Sequence, residues 1–280
     1  MYIDSHFHIW SLARGDYGWL TPDITALYRD FGVADWQAQW GPLGVSGGIL
    51  VQAAPTEAET AFLLEQAAAH ADLVLGVVGW VDFEHADAPS RIRSLAADKR
   101  LIGLRPMLQD LPDPAWIARE SVQPALQAMA DAALTFDALV HPVHLPYIDA
   151  LAERYPTLTI VIDHAAKPSI ATGKDRDAWM RALTALARRP SVYCKLSGLW
   201  TEAAPGASVS SVEPWAEAAL DLFGVERMLW GSDWPVLRCA GGAADWFDCA
   251  MRMVAARGQD AVANLFDGNA RRAYRLTPRS

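Results

Sequence analysis

The chain has 280 residues, 52% of them hydrophobic and 20% charged, a balance that excludes disordered, collagen-like and low-complexity architectures. Its net charge of −9, with 24 Lys and Arg scattered among 33 acids, excludes the basic stripe that nucleic-acid binding needs. No apolar run approaches the roughly 18 residues of a membrane span, so no membrane partner is expected.

Eight short apolar runs alternate with segments of helical pattern. In chain order they are Ile3 to Trp10, Gly48 to Ala53, Val74 to Asp82, Leu101 to Leu108, Phe136 to Val140, Thr159 to His164, Val192 to Ser197 and Met228 to Asp233. Several are apolar on both faces, as Val77-Val78 and Ile160-Val161-Ile162 are, which suits parallel strands covered by helices. Thr56-Glu57-Ala58-Glu59 is a capping-box pattern opening an Ala- and Leu-rich helix to about Ala71. Similar helical segments are expected over Trp116–Ala133, Asp177–Arg189, Glu213–Phe223, Ala243–Ala256 and Asp260–Tyr274. Residues 21–47 show no clear strand, and whether they form a lid is left open; residues 203–211 read as a surface loop. With no internal repeat and no linker, residues 1–280 are expected to form a single (β/α)8 TIM barrel of the α/β class, possibly distorted. An open doubly wound sheet is the alternative, but no GxGxxG follows the first run.

Barrel enzymes carry their active sites at the carboxyl ends of the strands, and reactive side chains collect there. His6 and His8 stand two apart on the first run, so an extended strand points both to one face. Arg105 closes the fourth run, His141 follows the fifth, His164 ends the sixth, Lys195 lies on the seventh and Asp233 ends the eighth. Asp163, adjacent to His164, points to the opposite face if the strand continues, which reads as structural. The three cysteines, Cys194, Cys239 and Cys249, form no CxxC, and no signal peptide is visible at the start, so the reading is a cytoplasmic enzyme.

These residues sit in motifs that resemble the amidohydrolase superfamily, and within it the branch of fuconolactonases, rhamnonolactonases and 2-pyrone-4,6-dicarboxylate lactonase. The motifs run from HFHIW and YGWL through LVQAA at 50–54, GVVGWVD at 76–82 and GLRPMLQD at 103–110. They continue with HLP at 144–146, DHAAKP at 163–168, CKLSG at 194–198 and GSDWP at 231–235, and close on Asn269-Ala270-Arg271. Two departures touch the mouth of the site: Pro106 stands where the family pattern carries a His, and His141 occupies a variable place.

The resemblance implies hydrolysis of a sugar acid lactone, such as L-fucono-, L-rhamnono- or L-galactonolactone. Asp233 would activate water, its pKa raised if neighbouring tryptophans desolvate it, and His6, His8 and His164 would assist. Candidate substrate contacts are Arg105, Lys195, Gln52, Trp80, Asp82 and Trp234. No cofactor is expected to be required, although His6, His8, His141 and Asp233 could hold a single divalent metal such as Zn. A zinc-dependent decarboxylase or another metal-dependent hydrolase of the same superfamily is the alternative. A carboxylated-lysine binuclear centre is not expected, because no Lys ends the fourth or fifth run. A non-catalytic sugar-binding barrel would leave the complete His/His/His/Asp set without a purpose. The partner is a small-molecule sugar lactone, and either a monomer or a homodimer fits the acidic surface.

Overall fold

A computed structural model describes residues 2–276. Eight parallel strands form one sheet in sequential order: β1 (Tyr2–Phe7), β2 (Val45–Val51), β3 (Val74–Gly79), β4 (Leu101–Leu104), β5 (Thr135–Ala138), β6 (Ile160–Ile162), β7 (Val192–Leu196) and β8 (Met228–Trp230). Each lies within one of the expected apolar runs or overlaps its start. The strands are short and their apolar residues are buried on both faces, as parallel strands covered by helices require; β6 and β8 are buried throughout.

A helix follows every strand: α1 (Val33–Trp40), α2 (Glu57–Ala69), α3 (Ala88–Leu95), α4 (Gln123–Asp131), α5 (Leu145–Arg154), α6 (Arg176–Ala187), α7 (Glu213–Phe223) and α8 (Ala243–Ala255). The fold is therefore the (β/α)8 barrel. In α7, burial of Trp215, Ala216, Ala219, Leu220 and Phe223 gives the one-sided stripe that seats a helix on a sheet. The expected helix from Trp116 begins only at Gln123, after two 3-10 turns, because Pro124 lacks the N–H that would bond back into a preceding helical turn.

The barrel does not close by a regular ladder. Between β8 and β1 the seam is stitched by a single bridge, Phe7 to Trp234, and by side chains. Ser5 Oγ donates to the Trp230 carbonyl at 2.7 Å, and the buried Asp4 carboxylate accepts the Ser232 N–H and hydroxyl at 2.8 and 2.6 Å. The Asp233 N–H then bonds the His6 carbonyl at 2.8 Å and the His8 N–H bonds the Trp234 carbonyl at 2.7 Å. This seam brings the first and last motifs of the sequence into contact.

The amino-terminal end of the barrel is plugged by the carboxyl-terminal segment. As expected over Asp260–Tyr274 it is helical, running without a break from α9 (Gln259–Ala263) through a π turn at Asn264–Gly268 into α10 (Asn269–Ala273). Ala270, Ala273 and Tyr274 pack on Ile3, Ile49, Val78, Val161 and Leu229 inside the barrel. Asn269 Nδ2 holds the segment in place by donating to the Val225 and Met228 carbonyls. Among the described residues no helix is long and apolar enough to cross a membrane.

Candidate active site

At the carboxyl end of the barrel a cavity of about 230 Å³ has His8, His164, Asp233 and Arg105 in its wall. Asp233 is 4% exposed and sits three residues past the end of β8 in the left-handed region, at φ 54°. Its Oδ1 lies 3.4 Å from His8 Nε2, 3.7 Å from His6 Nε2 and 3.9 Å from His164 Nε2. Burial alone would raise this carboxyl group, but His164, His8 and His6 hold it well below the usual carboxylate range. That reverses the expected upward shift: the tryptophan beside Asp233 is turned away and imidazoles surround the carboxylate instead.

His6 and His8 converge as their spacing requires, with Nε2 atoms 3.2 Å apart. His8 Nδ1 lies 2.7 Å from the Val51 carbonyl; a carbonyl only accepts, so Nδ1 carries the proton and Nε2 presents its lone pair to the cavity. Burial, reinforced by Lys195, pushes the His6 pKa well down, so its ring is neutral. His6, His8 and Asp233 offer three donor atoms with mutual spacings of 3.2, 3.4 and 3.7 Å. A tetrahedral zinc with bonds of about 2.0–2.1 Å spaces its ligand atoms about 3.4 Å apart, so the set fits a single divalent ion.

His164 reaches the cavity by an unusual backbone path. After β6 the residues His164, Ala165, Ala166 and Lys167 all take positive φ, between 47° and 63°. Each such residue costs about 1–2 kcal/mol relative to right-handed backbone, and strain of this kind persists only where surrounding contacts enforce it. Here Trp179 Nε1 donates to the Ala165 carbonyl at 2.7 Å and His164 Nδ1 bonds Ser197 Oγ at 2.8 Å. Gly198, itself at φ 60°, lies against the imidazole, where a Cβ would collide with Nδ1. Burial lowers the His164 pKa to about 4, so this ring too is neutral near pH 7.

The left-handed turn also changes the reading of Asp163. An extended chain would point it away from His164; the turn lets both side chains face the barrel interior. Asp163 Oδ1 lies 3.3 Å from His6 Nδ1 and 2.9 Å from Lys195 Nζ, and Oδ2 accepts from Arg105 Nη1 at 3.2 Å. Lys195 Nζ donates to Asp137 Oδ2 at 2.5 Å, and the Tyr274 hydroxyl donates to the same carboxylate. Beneath the cavity Lys195, Asp137 and Asp163 thus form a fully buried ionic layer, which Arg105 caps from the cavity wall.

The family model that describes amidohydrolases matches residues 3–276. The chain belongs to the amidohydrolase family. It is 47% identical to the L-fucono-1,5-lactonase of Burkholderia ambifaria, over 98% of this chain and 95% of the relative. The L-fucono-1,5-lactonase of Burkholderia multivorans is 35% identical over 98% of this chain and 96% of its own. Among solved structures, an amidohydrolase from Burkholderia multivorans with bound zinc superposes with a TM-score of 0.91 at 33% identity, covering 99% of this chain and all of the other.

In this amidohydrolase several candidate contacts take other places. Lys195 and Gln52 are fully buried below the cavity; Gln52 Oε1 accepts from Arg105 Nε and Nη2 at 3.0 and 2.7 Å, which fixes the guanidinium. Trp234, 2% exposed, packs edge-on against Phe31 in the core. Its neighbour Asp233 is in the left-handed conformation, so the two side chains diverge. His141 belongs to neither convergent donor set among the described residues. β5 ends three residues before it and the chain turns away, leaving His141 exposed.

Trp80 and Asp82 line a neighbouring cavity of about 500 Å³. The two cavities adjoin along Trp19, Met107 and Asp110, and neither is lined by residues 21–47. Sequence reasoning missed Trp19 and Lys167. Trp19 lies in YGWL and Lys167 in DHAAKP, so the motifs themselves were the signal.

Proposed function

We propose that the protein hydrolyses a sugar acid lactone to the aldonic acid, with L-fucono-1,5-lactone its preferred substrate class. The observation that carries this reading is the buried Asp233 carboxylate ringed by three imidazoles at the floor of a cavity. Full-length identity to two L-fucono-1,5-lactonases supports the substrate. A cavity of this size takes one sugar-derived ring, and its wall mixes Trp19, Met107, Leu139 and Val236 with two cations, Arg105 and Lys167, balanced by two carboxylates, Asp110 and Asp233, which suits a neutral, hydroxylated ligand.

Asp233 is ionised near pH 7 and accepts the proton of the attacking water. Oxygen bonds to the lactone carbonyl carbon, and negative charge develops on the carbonyl oxygen. The Arg105 guanidinium, held by Gln52 and Asp163, and the neutral His164 ring supply positive potential and hydrogen bonding to that oxygen. When the ring C–O bond breaks, the leaving alkoxide takes the proton back from Asp233. The product carboxyl then ionises and releases one proton to solvent.

His6 Nε2, His8 Nε2 and Asp233 Oδ1 would hold a divalent ion, which when bound would polarise the carbonyl and lower the pKa of a coordinated water. Arg105 Nη1 lies 3.4 Å from His6 Nε2, where it competes for the same lone pair. On that ground the reaction is proposed to proceed without an obligatory metal. Three unpaired cysteines suit a cytoplasmic setting.

The test is a panel of 1,4- and 1,5-aldonolactones offered to exhaustively chelated enzyme, with the aldonate detected by NMR. Turnover that survives chelation supports the reading, and zinc-restored turnover assigns the three donors to an essential ion. Loss of CO2 from an aromatic acid, with no lactone opened, overturns it.

A further inference from the structure

We propose that the second cavity is a glycosyl subsite, so that the enzyme also opens aldonolactones carrying a second, neutral sugar unit. This rests on the lactonase reading above and extends it to disaccharide-derived lactones. The ring-opening step is the same: water adds to the carbonyl carbon, the ring C–O bond breaks, and the glycosidic bond is untouched.

Three observations point this way. The second cavity, at about 500 Å³, is more than twice the volume of the one that holds Asp233, and adjoins it along Trp19, Met107 and Asp110. A ring seated over Asp233 therefore has room beyond it for another. Trp19 is fixed as part of the common wall, because its Nε1 donates to the Ala53 carbonyl at 2.7 Å.

The chemistry of the cavity suits a sugar rather than an apolar or anionic group. Trp80, half-buried and backed by the buried Phe83 and Trp116, gives it aromatic surface on which the C–H face of a sugar ring can stack. Asp82 and Asp110 supply acceptors for hydroxyl groups. Asp82 Oδ1 accepts the Glu84 N–H at 3.0 Å and Asp110 Oδ1 a long 3.3 Å bond from Gln109 Nε2, neither from a cation, so each carboxylate keeps accepting capacity. Asp16 and Glu84 in the wall are paired with Arg14 at 2.6 Å and Arg119 at 3.1 Å, so Asp82 and Asp110 are the carboxylates that disfavour an anionic ligand here.

Pro106, the departure from the family pattern in the fourth motif, lies in this wall and not in that of the first cavity. Its compact apolar ring stands at the place where a second unit would enter.

The experiment compares kcat/KM for a monosaccharide 1,5-lactone with that for cellobiono- and lactobiono-1,5-lactone, in the wild type and in Trp80→Ala, Trp80→Phe and Asp82→Asn. The expected result is turnover of both kinds of lactone. The disaccharide-to-monosaccharide ratio should fall about fivefold to tenfold in Trp80→Ala, recover in Trp80→Phe, and fall about twofold to fivefold in the exposed Asp82→Asn. A lactone bearing a uronosyl unit should be the poorest of the series. Monosaccharide turnover with no disaccharide turnover overturns the subsite and leaves the lactonase reading standing. A ratio unmoved by every variant also overturns it. Silence toward all lactones removes both.

Discussion

Two buried polar regions lie one above the other in this barrel, and they are built on opposite terms. In the lower layer, Arg105, Lys195, Asp137 and Asp163 balance two cations against two carboxylates. Burial would raise Asp163, but Lys195, His6 and Arg105 overcome it and hold it well below the usual range. Lys195 and Asp137 leave regular strands, and every charge there has an opposite partner. In the upper layer, Asp233 faces the His6 and His164 rings, both neutral near pH 7, and it and His164 leave strained left-handed backbone. The paired charges of Lys195, Asp137 and Asp163 hold the barrel together, whereas Asp233, on strained backbone and facing the cavity without a cationic partner of its own, is free to react, with Arg105 bridging the two layers.

That contrast can be broken most severely from below. Lys195→Met leaves Asp137 and Asp163 buried without their common cation and should cost about 3–5 kcal/mol in chemical unfolding. A loss under 1 kcal/mol would show that the lower layer is not structural. The next largest effect is on the upper layer. Gly198→Ala pushes a Cβ into the His164 ring and should lower kcat about 10²-fold. Unchanged kcat alongside a lowered Tm would mean that His164 serves only packing.

Tyr274→Phe sharpens the comparison from the barrel's amino-terminal end. It removes hydroxyl bonds of 2.7 and 2.9 Å to Asp137 and should cost about 1.5–3 kcal/mol while leaving kcat near wild type. A large fall in kcat would show the two layers to be coupled. The smallest effect is on pH dependence. The His164 pKa is lower folded, about 4, than unfolded, so the unfolded chain binds more protons between pH 4 and 6.5. Stability from this group is present above 6.5 and is lost as the pH falls toward 4. Tm should drop by a few degrees over that window and the drop should shrink in His164→Gln; identical profiles would contradict it.

The strands and the convergence of His6, His8 and Asp233 were legible because they depend on local pattern and on barrel order. Eight apolar runs announce eight strands, and alternation along β1 places both imidazoles on one face. Three helices escaped notice. α3 buries only Ala88 and Ile92 and α1 only Val33, Trp36 and Trp40, whereas α5 carries a stripe of Leu145, Ile148, Leu151 and Ala152 confined to ten residues that open on Pro146. The left-handed turn at 164–167 was invisible for a different reason. None of its residues is a glycine, so no composition marks it, and tertiary contacts to Trp179 and Ser197 impose it. Lys195 and Gln52 have the residue types of substrate contacts, and only their depth in the barrel distinguishes support from binding.

The most direct measurement of the central claim is proton release from L-fucono-1,5-lactone by wild type and Asp233→Asn, with Tm recorded for both. The account predicts one proton per lactone opened by the wild type, and a rate about 10³-fold lower in a variant that remains folded. A folded Asp233→Asn that releases protons at the wild-type rate would contradict it.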